Sequence, residues 1–303
     1  MAKINYFDIA WFSAVDGPGT RVVLFLTGCN LRCPWCHSPH SWQSASPLLY
    51  FENTCLLCGA CVSSCIQNVH SIIENKHTID RSKCIKCNSC VEACPSSDIQ
   101  SWSTSTLGFA GTEIEDGELY QLLKPQLNLL RNIGGLTVSG GDPILQSHSL
   151  AVLFKRFAQE NIHITVETSA SSTKANIQKL LPFVNHWLIG LRPSLIDKAN
   201  VWEQVVENLT ILAAVNKKNI TIRTPIIPNY TNSLECYSKI KDVMTHHEIK
   251  NLELLPFNPY AESYYRALGA DYMMKNASPI SEKEIDEAKD YFLSNGIHVK
   301  IVN

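Results

Sequence analysis

The stretch Arg21-Val-Val-Leu-Phe-Leu-Thr-Gly-Cys29-Asn-Leu-Arg-Cys33-Pro-Trp-Cys36 joins the two signals that decide how this chain is built. Its first half, Arg21–Thr27, is apolar almost throughout, which predicts a strand buried on both faces, as in a parallel sheet. Its second half sets three cysteines at CxxxCxxC spacing. A buried strand that runs straight into a ligand-rich loop suits an α/β fold, whose chemistry gathers where strands meet their following loops.

Working outward, further strand-like stretches are Gly135–Ser139, Ile162–Glu167, His186–Leu191, Ile220–Pro225, Leu252–Phe257 and Ile297–Val302. Helical patterns alternate with them: Gly117–Asn132, Gln146–Gln159, Ser172–Leu181, Ile196–Asn216, Leu234–His246 and Ser281–Ser294. The last opens with Ser281-Glu-Lys-Glu284, a capping-box pattern. About six strand–helix repeats predict an incomplete (β/α) barrel. On that reading the cysteine loop follows the first strand and Gly140-Gly141-Asp142 the second. Glu167-Thr168 closes the third, Arg192 the fourth, and Asn258 follows the sixth, so these residues converge on one rim.

Eleven of the twelve cysteines lie between Cys29 and Cys94. At the chain's average density those positions would hold roughly two or three. A second run is Cys55-x2-Cys58-x2-Cys61-x3-Cys65, and a third is Cys84-x2-Cys87-x2-Cys90-x3-Cys94 followed by Pro95. Only Cys236 lies apart, in a helical stretch that predicts a buried structural thiol. Polar seams at Ser38–Pro47 and Ser101–Gly111 set off a small domain, residues 49–104, inserted between 1–48 and 105–303. Within it the two runs form an internal repeat, with a spacer carrying Val69–Ile73 and Thr78–Asp80.

At 303 residues, 45% hydrophobic and 18% charged, the chain can bury a large core and form two or so domains. A net charge of −2 gives no electrostatic footprint for nucleic acid or a membrane surface. No apolar stretch approaches the ~20 residues that span a bilayer. The start has no apolar signal region, since Asp8 interrupts it, so a cytoplasmic location is expected. In a reducing cytosol clustered thiols point to metal or redox chemistry rather than disulfides. Zinc ribbons also use CxxC pairs, but zinc takes four ligands per site with a spacer between pairs, which these runs fit poorly. Iron–sulfur clusters fit the spacings better. A cubane cluster takes four ligands and the first run supplies three thiolates, which leaves one iron open. The logic is that of catalytic zinc, where an unoccupied position admits substrate.

The Cys29-x3-Cys33-x2-Cys36 run, with Trp35 before its last cysteine, resembles the signature of radical S-adenosylmethionine (SAM) enzymes. Asp16-Gly-Pro-Gly-Thr-Arg21, Cys36-His37-Ser38-Pro39 and Gly134–Pro143 are similar to segments of one branch, the glycyl-radical-enzyme activating enzymes. The resemblance extends to Leu254-Leu-Pro-Phe-Asn258 and covers nearly the whole chain. It implies a partial TIM-type (β/α)6 barrel. It implies an oxidoreductase that cleaves SAM reductively to a 5′-deoxyadenosyl radical, which takes hydrogen from a glycine of a partner glycyl radical enzyme. By resemblance, Cys29, Cys33 and Cys36 hold the catalytic cluster, and Trp35, Cys36 and His37 line the adenine side. Gly140, Gly141 and Asp142 meet the SAM amino group, Glu167 and Thr168 lie near its sugar and a monovalent cation, and Asp16 contacts the partner's glycine loop.

The second and third runs each resemble bacterial ferredoxin, in which the fourth cysteine of one run ligates the other run's cluster. That rule assigns Cys55, Cys58, Cys61 and Cys94 to one [4Fe-4S] cluster and Cys65, Cys84, Cys87 and Cys90 to another. With the catalytic cluster this makes three, two of them relays from flavodoxin or ferredoxin. The family pattern is departed from at Gly190-Leu191-Arg192, aligned with Asp-x-Lys, where Gly190 lacks a cation-binding carboxylate and Arg192 keeps positive charge for the SAM carboxylate. Asn258 stands where the family often has His, Ser38 replaces Asn, and Asp142 replaces Glu. The rival expectations are a radical SAM enzyme acting on a small molecule or another peptide, and a ferredoxin-like electron carrier. The Asp16-Gly-Pro-Gly run disfavours the former, and the three-cysteine loop the latter.

Overall fold

The computed structural model describes residues 2–98, 101–193 and 201–302. Among these, the elements run β1 (Lys3–Ser13), β2 (Thr20–Leu26), β3 (Leu48–Tyr50), α1 (Ala60–Ser64), β4 (His70–Ile73), β5 (Lys76–Ile79), α2 (Ser89–Glu92), β6 (Leu107–Phe109) and β7 (Thr112–Glu115). They continue with α3 (Asp116–Leu130), β8 (Gly134–Gly140), α4 (Ser147–Gln159), β9 (His163–Thr168), α5 (Lys174–Leu180), β10 (His186–Gly190) and α6 (Val201–Asn216). The chain ends with β11 (Ile220–Ile226), α7 (Leu234–His246), β12 (Asn251–Pro256), α8 (Glu262–Leu268), α9 (Glu282–Ser294) and β13 (His298–Ile301).

One mixed sheet has the order β13-β12-β11-β10-β9-β8-β2-β1-β7. From β2 through β13 neighbouring strands are parallel, and a helix lies between each successive pair from β8 onward. The parallel strands inside the sheet are buried on both faces, as their apolar runs predict: Val22, Val23 and Leu24 of β2 are fully buried, as are Leu136, Thr137 and Val138 of β8, whereas the edge strand β13 is partly exposed. Each flanking helix lays one stripe on the sheet, such as Leu119, Leu123, Leu127 and Leu130 of α3 or Leu150, Leu153, Phe154 and Phe157 of α4. The capping box at the start of α9 forms: Ser281 Oγ accepts from the Glu284 N–H at 3.3 Å, and Glu284 Oε2 accepts from the Ser281 N–H at 3.0 Å. Residues 196–200 of the helix expected from Ile196 lie outside the described residues; the rest forms α6.

The first strand expected, Arg21–Thr27, is the second in the chain. β1 precedes it and pairs antiparallel with both β2 and β7. Most of β1 is only half buried, so its residues show neither a continuous apolar run nor clean alternation.

Beside this sheet, β3 and β6 pair antiparallel across the base of the cysteine-rich segment, and β4 and β5 form a hairpin within it. Leu48, Cys61, Val69, Cys90, Val91 and Leu107 make its own small core. Arg81 ties the segment to the larger body: its Nε donates to Leu48 O at 3.0 Å and Nη2 to Ala267 O at 2.7 Å.

Candidate active site and cluster cavities

The three-cysteine loop leaves β2 at Gly28 and is held mainly by backbone. The Gly28 N–H donates to Ser41 O at 2.7 Å, and the Cys29 N–H to Trp42 O at 3.1 Å. Gly28 O accepts from the Asp142 N–H at 2.7 Å. Asn30 anchors the loop to the end of β9, donating from Nδ2 to Ser171 O at 2.6 Å. Burial pushes the Cys29 thiol up to about 12, with the Asp142 carboxylate adding to it, and pushes Cys36 up to about 11. Burial also raises Cys33, against the pull of the Arg192 guanidinium. A metal removes these protons, because a coordinating thiol is deprotonated.

Gly140 and Gly141 have a structural reason that the sequence reading did not supply. Gly140 takes φ +104°, and a Cβ on it would lie 2.4 Å from Leu26 N. A Cβ on Gly141 would lie 2.2 Å from Gly28 O. Only glycine lets β8 end against the backbone that presents the cysteines.

Asp142 is 1% exposed and ties the ends of two strands together. Its Oδ1 accepts from Thr168 Oγ1 at 2.6 Å and from the Ile144 N–H at 3.2 Å; its Oδ2 accepts from Ser169 Oγ at 2.5 Å and the Ser169 N–H at 3.2 Å. Its charge faces Cys29, while its oxygens are engaged within the chain.

Glu167 sits between Ser139 Oγ, which donates at 2.7 Å, and Arg223 Nη1 at 3.1 Å. Burial opposes ionisation of Glu167, yet Arg223 and the Ser139 hydroxyl outweigh it and hold the carboxyl below its ordinary value. Arg223 is the residue the sequence reading missed. Buried on β11, it bonds Glu253 Oε2 at 2.7 Å, lies 3.5 Å from Asp16 Oδ1, and donates to Val15 O. Burial would lower its pKa, but Glu167 and Glu253 together raise it. Its sequence signal is a lone charge inside the otherwise uncharged Ile220–Ile226. Asp16 is further held by Ser13 Oγ at 2.6 Å.

Arg192 folds back on its own strand end and donates from Nη1 to Gly190 O at 2.9 Å. A Cβ on Gly190 would lie 2.3 Å from that nitrogen, so the guanidinium fills the space a side chain there would use. Gly190 offers no side-chain oxygen, and both Glu167 oxygens are engaged by Arg223 and Ser139. Of the residues expected beside a monovalent cation, Glu167 and Thr168 offer side-chain oxygen and Gly190 none. Leu191 is buried in the main core. His37 Nε2 lies 2.8 Å from Asn258 O, which brings the first loop to the one after β12. Trp35 packs edge-on against Tyr230, with ring centroids 5.1 Å apart. Cys236 is buried in α7, where its Sγ donates to Tyr230 O at 3.3 Å.

In the inserted segment, Cys55, Cys58, Cys61 and Cys94 line one cavity and Cys65, Cys84, Cys87 and Cys90 line another. Each cavity takes its fourth cysteine from the other run, and the donor chemistry suits two four-thiolate clusters. Cys84 also lines a groove shared with Arg32 and Trp42, whose cation and ring lie 5.2 Å apart on the side of the three-cysteine loop.

A family model described as "4Fe-4S single cluster domain" matches residues 15–72, and one described as "4Fe-4S binding domain" matches residues 77–100. With the thiol loop set at the strand ends of an α/β sheet, these matches define the class, an iron–sulfur protein. The chain is 31% identical over 305 residues to a 4-hydroxyphenylacetate decarboxylase activating enzyme of Clostridioides difficile, covering 96% of this chain and 93% of that one. It is 33% identical over 308 residues to a (2S)-3-sulfopropanediol dehydratase activating enzyme of Klebsiella oxytoca, covering 96% and 95%. It is 28% identical over 312 residues to an indoleacetate decarboxylase activating enzyme of Tractidigestivibacter scatoligenes, covering 97% and 96%. The chain belongs to the glycyl-radical-enzyme activating enzymes, oxidoreductases that act on a partner glycyl radical enzyme. No helix among the described residues is long and apolar enough to cross a membrane.

Proposed function

We propose that this chain activates its partner through one catalytic cluster on Cys29, Cys33 and Cys36 and two relay clusters, one on Cys55, Cys58, Cys61 and Cys94, the other on Cys65, Cys84, Cys87 and Cys90. Residues 1–48 and 105–303 form a partial (β/α)6 barrel, and 49–104 a ferredoxin-like insert, clasped at its base by β3 and β6. When bound, the open-cornered cluster and SAM supply the reductive cleavage whose 5′-deoxyadenosyl radical takes hydrogen from the partner's glycine.

The chain's own residues do the positioning. Asp142 locks the ends of β8 and β9 around Gly28, so the thiol loop cannot drift from the SAM side. Arg192 offers its guanidinium beside Cys33 for the SAM carboxylate, and no step requires a cation. Asp16, on the turn that meets the glycine loop, reaches Glu167 on the SAM side through Arg223, so the two substrates are held by one ionic assembly. His37, Trp35 and Asn258 close the adenine side.

Electrons from flavodoxin or ferredoxin enter at the insert. They leave from the centre containing Cys84, which shares a groove with Trp42 and Arg32 of the catalytic side. The setting is cytoplasmic. The crosswise sorting of eight cysteines into two cavities supports this reading most strongly. Anaerobic reconstitution tests it: about twelve irons per chain are expected, with 5′-deoxyadenosine and methionine released on adding dithionite and SAM. Four irons, or zinc in their place, would refute it.

A further inference from the structure

The β4–β5 hairpin lies between the two ferredoxin-type runs and carries two histidines that nothing above uses. His70 is 3% exposed and His77 6%. His70 Nδ1 lies 3.0 Å from His77 Nε2, and that same His77 nitrogen lies 3.7 Å from Cys61 Sγ. The remaining nitrogens, His70 Nε2 and His77 Nδ1, are buried without a partner among the described residues. His77 lines the cavity of Cys55, Cys58, Cys61 and Cys94, whereas His70 lines the cavity of Cys65, Cys84, Cys87 and Cys90. The imidazole pair therefore spans the wall between the two cavities.

Apolar side chains would fill such a wall without leaving polar nitrogens buried and unsatisfied. Two ring nitrogens at this separation share one proton, so one ring donates and the other accepts. If His77 Nε2 carries the proton, its N–H lies between His70 and Cys61. The proton of a neutral His70 then sits on Nε2, an N–H in a ring that borders the second set of thiolates. The opposite tautomers would leave a lone pair at His70 Nε2 instead. Electron-rich sulfur favours the first arrangement, which gives each cavity a donor.

We propose that His70 and His77 form an imidazole bridge between the relay centres, with the His77 Nε2–H shared between His70 and the Cys61 sulfur at one and the His70 Nε2–H presented to the cavity of the other, raising both reduction potentials. This rests on the assignment of a cluster to each cavity. Hydrogen bonds to cluster sulfurs are one of the levers that set such potentials. They favour the reduced state because it carries the additional negative charge. The two histidines are positioning residues: they act on electron transfer through the clusters and do not touch SAM or the glycine.

The test uses the full chain, reconstituted anaerobically, with iron and zinc counted and reduction followed by EPR at controlled potential. Wild type, His70→Leu, His77→Phe and His77→Gln are compared. His70→Leu and His77→Phe should keep wild-type iron, and each should shift the oxidised-to-reduced ratio of a relay cluster about tenfold toward oxidised, ~59 mV for a one-electron couple. His77→Gln keeps a donor and should recover most of the shift. Wild-type protein with 15N-labelled histidine should also show histidine nitrogen weakly coupled to a reduced cluster, a readout that needs no variant. Full iron with superimposable titrations and no such coupling would overturn the bridge while leaving the cluster assignment intact. Stoichiometric zinc held by Cys61, His70 and His77, whose ligand atoms lie within 4.8 Å of one another, would overturn the bridge and, by taking Cys61, the cluster on Cys55, Cys58, Cys61 and Cys94 with it. An iron count too low for clusters in the insert would instead remove the assignment itself, and the bridge with it.

Discussion

Replacing Arg223 by Leu removes the cation that three carboxylates share. Its side chain is 4% exposed, and its partners Asp16, Glu167 and Glu253 are 20%, 21% and 11% exposed. Breaking a buried ion pair from one side costs ~3–5 kcal/mol, because the remaining charge stays desolvated. The partial exposure of the carboxylates puts the expected loss near the lower end, ~3 kcal/mol. At ~2–4 °C per kcal/mol, the melting temperature of the reconstituted protein should fall by roughly 6–12 °C. The sign of the pH dependence follows from Glu167. Its folded pKa is depressed, so its contribution to stability is present above the unfolded value and lost only as pH falls through the depressed folded value. Without Arg223, burial of Glu167 is opposed mainly by the Ser139 hydroxyl and its carboxyl pKa rises, so the variant recovers stability as pH drops and Glu167 takes up a proton. The gap between wild type and variant should therefore narrow as pH falls from neutrality toward the ordinary carboxylate range in anaerobic thermal unfolding. Arg223→Lys should recover part of the loss. A melting temperature within ~2 °C of wild type, or a gap that widens in acid, would refute the ionic assembly.

Cys33→Ala should abolish SAM cleavage while the insert keeps about eight irons, by iron analysis and product assay. Cys87→Ala should retain cleavage with dithionite but lose most turnover with flavodoxin; full flavodoxin-driven activity would exclude the relay. Gly190→Asp should displace the Arg192 guanidinium and weaken SAM binding roughly tenfold, about the worth of one charged hydrogen bond, by titration calorimetry. Asp142→Asn turns an amide N–H toward the Thr168 or Ser169 donors and should cost ~1–3 kcal/mol in thermal stability.

The cysteine runs were legible because cluster ligation is local: a few residues of spacing state the donor set. The parallel strands were legible because burial on both faces writes an unbroken apolar run, as in Arg21–Thr27. What was hidden depended on distant partners. Asp142 reads as negative charge for the SAM amino group, and what its sequence position does not show is that its carboxylate holds Thr168 and Ser169 at another strand end. Gly140 and Gly141 read as ligand-facing, yet backbone from Leu26 and Gly28 leaves no room for a Cβ. Arg223 reads as one residue of the Ile220–Pro225 strand, although a cation in a buried, otherwise uncharged run requires counter-charges from elsewhere. β1 was missed because its half-buried faces show no pattern, and α8 because seven residues are too short to show a helical stripe.

EPR of the fully reduced, cluster-loaded protein before and after SAM tests the three-thiolate loop most directly. The signal of one cluster should change while those of the two four-thiolate clusters stay as they were. Three signals all indifferent to SAM would contradict an open iron at Cys29, Cys33 and Cys36.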